Sequence, residues 1–205
     1  MKRAYNIHQI RQYRPTVLDF DGAWLDAIGR PERTGSWLIW GKSANGKTRF
    51  ALQLARYLTR FCRVCYDSLE EGLSLTMQNA IEQVGFADDR AKRNFNLLDK
   101  EPLPDLAERL SKQHAPKIAI IDSVQYTGLS YTDYKNLRDA NPGKLFIFIS
   151  HADGAEPKGN VAGSIKFDAN VKIYVEGYRA FAQSRYGGGA HYDIWPARSA
   201  EYWNQ

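Results

Sequence analysis

Gly41-Lys42-Ser43-Ala44-Asn45-Gly46-Lys47-Thr48 is the stretch on which the reading of this 205-residue chain turns. It fits G-x-x-x-x-G-K-[ST], the pattern of a phosphate-cradling loop, at every fixed position. Before it runs Ser36-Trp37-Leu38-Ile39-Trp40, apolar and of strand length, and residues 48–60 after it have the spacing of an amphipathic helix. A strand, a glycine turn and a helix start in that order aim successive backbone N–H groups and the positive end of a helix at one point, where a polyphosphate can sit. Lys47 is then expected to reach the β- and γ-phosphates, and the Thr48 hydroxyl to ligate Mg²⁺.

Working outward, hydrophobic content of 43% and charged content of 25% are those of an ordinary globular protein. The length predicts one domain with a substantial core. No apolar run approaches the roughly 20 residues of a membrane span, and the N-terminus lacks the apolar stretch of a signal peptide, so a cytoplasmic location is expected. The two cysteines, Cys62 and Cys65, form a C-x-x-C without the further ligands a zinc site needs. Cys62 ends the helix instead of preceding one, so both are read as buried apolar residues. The net charge of +5 leans mildly toward a polyanionic partner.

Residues 1–23, with Lys2, Arg3, Arg11, Arg14 and Pro15, read as an N-terminal arm, and 24–205 as the core. A short helix is expected over 24–29. Strands are expected over 63–67, 94–98, 117–122 and 145–150, and helices over 73–84 and 102–114. Another helix opens at Ser130-Tyr131-Thr132-Asp133, which fits a capping box, and runs toward Asn141. Strands without polar alternation, separated by helices, predict an α/β protein whose mostly parallel sheet is covered on both faces. From Ala169 the texture changes to short runs, 171–175, 179–184 and 191–195, expected as antiparallel additions at one edge.

Open parallel sheets bind ligands at the carboxyl ends of their strands, and three more ends carry suitable groups. Asp122 closes Ile118-Ala119-Ile120-Ile121-Asp122 and is expected to hold the magnesium directly or through water. Glu70 follows the second strand and is placed to orient the attacking water, with Glu71 competing for the role. Ser150 and His151 close the strand beside that of Asp122, where a polar side chain can sense the γ-phosphate.

These segments together resemble the RecA-like ATPase core. Residues 34–41 resemble the entry to its phosphate loop, and Ser68-Leu69-Glu70 looks like the glutamate segment of DnaB- and RadA-type proteins. Ile120-Ile121-Asp122-Ser123-Val124-Gln125 is similar to their Walker B run, and Ile149-Ser150-His151 to their sensor strand. Residues 163–171 are similar to the segment closing the DNA-binding loop, and Gln183-Ser184-Arg185-Tyr186-Gly187 looks like a degraded Lys-Asn-Arg-Phe-Gly motif. The resemblance covers about residues 24–203. It implies a RecA-like fold, ATP with Mg²⁺, Glu70 as catalytic base, and a homo-oligomeric ring or filament. It also implies that residues 152–163 and 128–134 face DNA, single-stranded above all, and that Arg185, with Arg179 as rival, reaches a neighbour's γ-phosphate in trans.

The chain departs from that pattern in one telling place. Residues 152–160 hold one lysine against two acids, a poor footprint for a phosphate backbone. Basic residues gather elsewhere, in the arm and at Arg90, Lys92 and Arg93. Two functions are therefore expected in competition: an ATPase acting on DNA in recombination, repair or replication, or a nucleotide-switch module that binds a protein partner.

Overall fold

The computed structural model describes residues 4–204, so Lys2 and Arg3 of the arm lie outside the described residues. The first two strands are β1 (Gly35–Gly41) and β2 (Val64–Ser68). β3 (Phe95–Asp99), β4 (Ile118–Asp122), β5 (Leu145–Asp153) and β7 (Val171–Glu176) complete the parallel part, and β8 (Arg179–Ser184) and β9 (His191–Asp193) close one side. The order across the sheet is β3-β2-β4-β5-β1-β7-β8-β9, with the two-residue β6 (Glu156–Pro157) folded back on β5.

The central strands β1, β2, β4 and the first six residues of β5 are buried and mostly apolar because both faces are covered. Trp37, Ile39, Tyr66, Ile120 and Ile147 face one layer, with α2 (Gly22–Ile28), α3 (Lys47–Leu58) and α4 (Leu75–Val84). Their neighbours Leu38, Trp40, Cys65, Ile121 and Phe148 face the other, with α6 (Leu103–Ser111), α7 (Tyr131–Ala140) and α8 (Asn160–Asp168). Ser130 caps α7 through the expected capping box with Asp133. Cys65 is buried and Cys62 half-buried, and burial pushes their thiols up to about 12 and about 11, so neither is a ready nucleophile.

Several expectations change. The 171–175 run is parallel, not antiparallel: Val171 pairs with Trp37 and Val175 with Gly41, and the antiparallel additions begin only at β8. Residues 152–163 are not one loop, because 153–156 make a tight turn and α8 begins at Asn160. Likewise 131–134 belong to α7. Helices not foreseen are α1 (Ile7–Gln12), α5 (Asp89–Asn94) and α9 (Pro196–Trp203). Within the stretch read as an arm, Leu18 and Phe20 are buried in the core. Among the described residues no helix is long and apolar enough to cross a membrane.

Candidate functional site

β1 and β5 are neighbours, yet β1 leads into α3 on one face and β5 leads on to α8 on the other. Their carboxyl ends therefore diverge and leave a crevice above the sheet, the usual ligand position of such folds. The loop from Gly41 to Thr48 bridges it. Gly41 has to be glycine, because a Cβ there would stand 2.2 Å from the Val175 carbonyl oxygen. Gly46 takes φ +97° and starts α3 without any side-chain cap, so the first N–H groups of the helix are left to face the crevice. Asn45 steadies the loop: its Oδ1 accepts from the Gly177 N–H at 2.8 Å, and its amide donates to the Ser43 carbonyl at 3.0 Å. Lys42, Ser43 and Ala44 are exposed at the loop's crown.

Lys47, Thr48, Glu70, Glu71, Asp122 and His151 line a single cleft of about 420 Å³ with Ser43, Ala44 and Gly46 of the loop. Lys47 Nζ donates to the Lys42 carbonyl at 2.9 Å. Its pKa is below the ordinary lysine value, chiefly through burial, with the charges of Asp122 and Glu70 pulling the other way. The Glu70 segment is pinned over the β4 terminus, since both Leu69 N–H and Glu70 N–H donate to the Asp122 carbonyl, at 2.7 and 3.1 Å. Asp122 is buried and accepts from the Tyr66 hydroxyl. Burial pushes its pKa up to about 6 against the stabilising hydroxyl, with the Glu70 charge adding to the rise.

The two candidate bases differ. Glu71 Oε2 accepts from the Thr76 hydroxyl at 2.8 Å, at the start of α4. Glu70 Oε2 lies 3.0 Å from His151 Nε2 instead. His151 in turn is tied to the loop beyond it. Its N–H donates to Gln125 Oε1 at 3.2 Å, and its carbonyl accepts from the Lys158 N–H at 2.8 Å. Gln125 Nε2 also donates to Ser150 Oγ and to the Lys158 carbonyl, at 2.8 and 2.9 Å. Glu70, His151, Gln125 and the 152–158 turn thus form one polar chain.

Arg185 is not brought into the cleft. It follows β8 at the opposite edge of the sheet, exposed. Arg179 is nearer but engaged, 3.0 Å from Asp193 and stacked on Trp203.

Sequence reading missed Tyr66, although its place two residues before Ser68 on a strand beside β4 put it on the same face as the loop helix. It also missed Tyr178 and Trp195, which form an aromatic wall with Arg49 4.4 Å above the Trp195 ring. Tyr178 reaches the cleft because the Gly177-Tyr178 turn holds both residues at positive φ, +51° and +58°.

Thr48 and Asp122 offer hard oxygen donors that fit Mg²⁺, which binds through one or two protein oxygens plus substrate phosphates and water. Among the described residues no cluster of three or more His, Cys, Asp or Glu could hold a metal without such a substrate.

No protein-family model matches the chain, and no curated protein does. Among solved structures the fold is similar to that of a unique ATP synthase subunit, NeqB, from Nanoarcheaum equitans, with a TM-score of 0.57 and 12% identity over 78% of this chain. The match covers 50% of that chain, and at this identity it is a likeness of fold alone.

Proposed function

We propose that this protein is a RecA-like ATPase that binds ATP with Mg²⁺ and acts on DNA in recombination, repair or replication, as a ring or filament of identical subunits. The observation that carries the reading is the meeting of Lys47, Thr48, Glu70 and Asp122 with the glycine loop in one cleft. The loop amides and Lys47 bind the β- and γ-phosphates, and Tyr178 and Trp195 offer flat faces to the base. Thr48 and Asp122 would hold Mg²⁺, whose charge would offset that building on the phosphate oxygens. Glu70 accepts a proton from water as the water oxygen bonds the γ-phosphorus and the bond to the β–γ bridging oxygen breaks. His151 holds Glu70 and joins it to the 152–158 turn, a route by which nucleotide state reaches that turn. Arg185, remote from its own cleft, is available to a neighbouring subunit.

The competing reading, a nucleotide switch that binds a protein partner, is favoured by the 152–158 turn, where Asp153 and Glu156 outnumber Lys158. ATP turnover measured with and without single-stranded DNA separates the two. Stimulation supports the DNA reading, and a flat response refutes it. Mixing Arg185→Ala with Lys47→Ala subunits restores turnover if sites are shared between chains, and restores none if each chain works alone.

A further inference from the structure

We propose that the edge of the sheet opposite the cleft is a sequence-independent binding surface for the phosphodiester backbone of nucleic acid. The parallel strands all start at this edge, and four adjacent starts carry cations. Arg63 precedes β2, Lys117 precedes β4, Lys144 precedes β5, and Arg33 stands two residues ahead of β1. Backbone hydrogen bonds fix them side by side: Lys117 N–H to the Arg63 carbonyl at 3.0 Å, Leu145 N–H to the Lys117 carbonyl at 3.0 Å, and Gly35 N–H to the Lys144 carbonyl at 3.1 Å.

Arg93, two residues ahead of β3, continues the row on one side. With strands roughly 4.8 Å apart, the row from β3 to β1 runs about 19 Å.

No carboxylate neutralises the row, although Arg63 Nη1 donates to the His114 carbonyl at 3.1 Å and Lys144 Nζ to the Pro116 carbonyl at 2.7 Å. Among the described residues none of Arg33, Arg63, Arg93, Lys117 and Lys144 is in a salt bridge. Of the acids near this edge, Asp139 and Asp168 are engaged by Arg138, Glu32 accepts from the Thr34 hydroxyl and Asp88 from the Ala91 N–H, while Asp89 stands one turn before Arg93 on α5. The cations also act on one another's surroundings: the Lys117 charge adds to burial in lowering the Lys144 pKa, and Arg33 and Lys117 act jointly on Cys62. Like charges on neighbouring strands destabilise a sheet unless something opposes them. Arg63 also borders a pocket with Arg109 and Lys112, but cations spread along five neighbouring strands match a line of phosphates better than a single phosphate. The inference rests on the proposed function only for the choice of nucleic acid over another polyanion.

The test titrates labelled single-stranded DNA, duplex DNA and RNA over a salt series. It compares the parent with an Arg63→Gln, Arg93→Gln, Lys117→Gln triple variant and with Lys158→Gln in the turn beyond β5. All four positions are exposed and outside the cleft, so nucleotide binding and thermal unfolding report whether the variants fold. Three lost phosphate contacts lower the salt slope by about 2 on single strands and about 3 on duplex, or about a hundredfold and about five hundredfold in affinity near 0.1 M salt. Lys158→Gln is expected to bind as the parent does. Equal binding by the triple variant, or a loss confined to Lys158→Gln, overturns the surface alone. A parent that binds none of the three nucleic acids, or binds only anionic vesicles, overturns both the surface and the DNA part of the proposed function.

Discussion

Replacing Glu70 by glutamine isolates the chemical step. Glu70 Oε2 sits 3.0 Å from His151 Nε2, and an amide of the same shape keeps a hydrogen bond there. Its side chain is 39% exposed, so the fold loses no buried charge and stability should stay within about 0.5 kcal/mol of the parent. The lost property is proton acceptance, which is worth about 10² to 10⁴ in rate. At 1.36 kcal/mol per decade this is about 3 to 5 kcal/mol of barrier. Nucleotide affinity should hold or tighten, because one negative charge leaves a cleft built to receive phosphates. Phosphate release at saturating ATP, beside equilibrium binding of a fluorescent ATP analogue, reads both quantities. Glu71→Gln is the control, since Glu71 is turned to the Thr76 hydroxyl and its loss should leave turnover at the parental level. Turnover by Glu70→Gln within about threefold of the parent would refute the assignment.

Gly41→Ala forces a Cβ to within 2.2 Å of the Val175 carbonyl oxygen, on a strand that cannot retreat because it is paired with β1. A loss of about 2 to 3 kcal/mol follows, or roughly 4 to 12 °C in thermal unfolding, and an unchanged midpoint would contradict the packing described. Asp67 is buried, with Oδ1 accepting from the Glu101 N–H at 3.0 Å and Oδ2 without a partner, and burial pushes its pKa up to about 7. The folded protein thus holds this proton up to about pH 7 while the unfolded chain releases it near 4, so stability falls as pH rises between those values and levels off above them. Asp67→Asn should flatten that slope and raise stability at about pH 8 by a few kcal/mol at most. Parallel pH profiles for parent and variant would rule this out.

Much of the fold was legible because its signals are contiguous. The runs leading to Gly41, Asp122 and Ser150 announce themselves as almost unbroken apolar stretches, and a run buried on both faces has no other stable setting. Ser130 marks the start of α7 because its cap is made within four residues. By contrast α8 contains Gly163 and Ser164 and opens at Gly159, a poor local helix that exists because Ala162 and Ile165 are buried against the sheet. The direction of β7 was equally invisible: its alternation of buried and half-buried residues reads the same whether the partner runs with it or against it. At the cleft, residue types placed Lys47, Thr48, Glu70, Asp122 and His151 together. The Tyr66 hydroxyl on Asp122 depended on which strand lies beside β4.

By itself, then, the sequence determined a glycine loop between a strand and a helix, since the pattern and both flanks lie within about 25 consecutive residues and the conformation is local. Tertiary structure alone decided the order of the strands. From that order come the pairing of Glu70 with His151, 81 residues apart, and the alignment of Arg63, Lys117, Lys144 and Arg33 along the far edge. Neighbours in a parallel sheet are chosen by crossovers and by the burial of whole helices, and no short window of sequence records that choice.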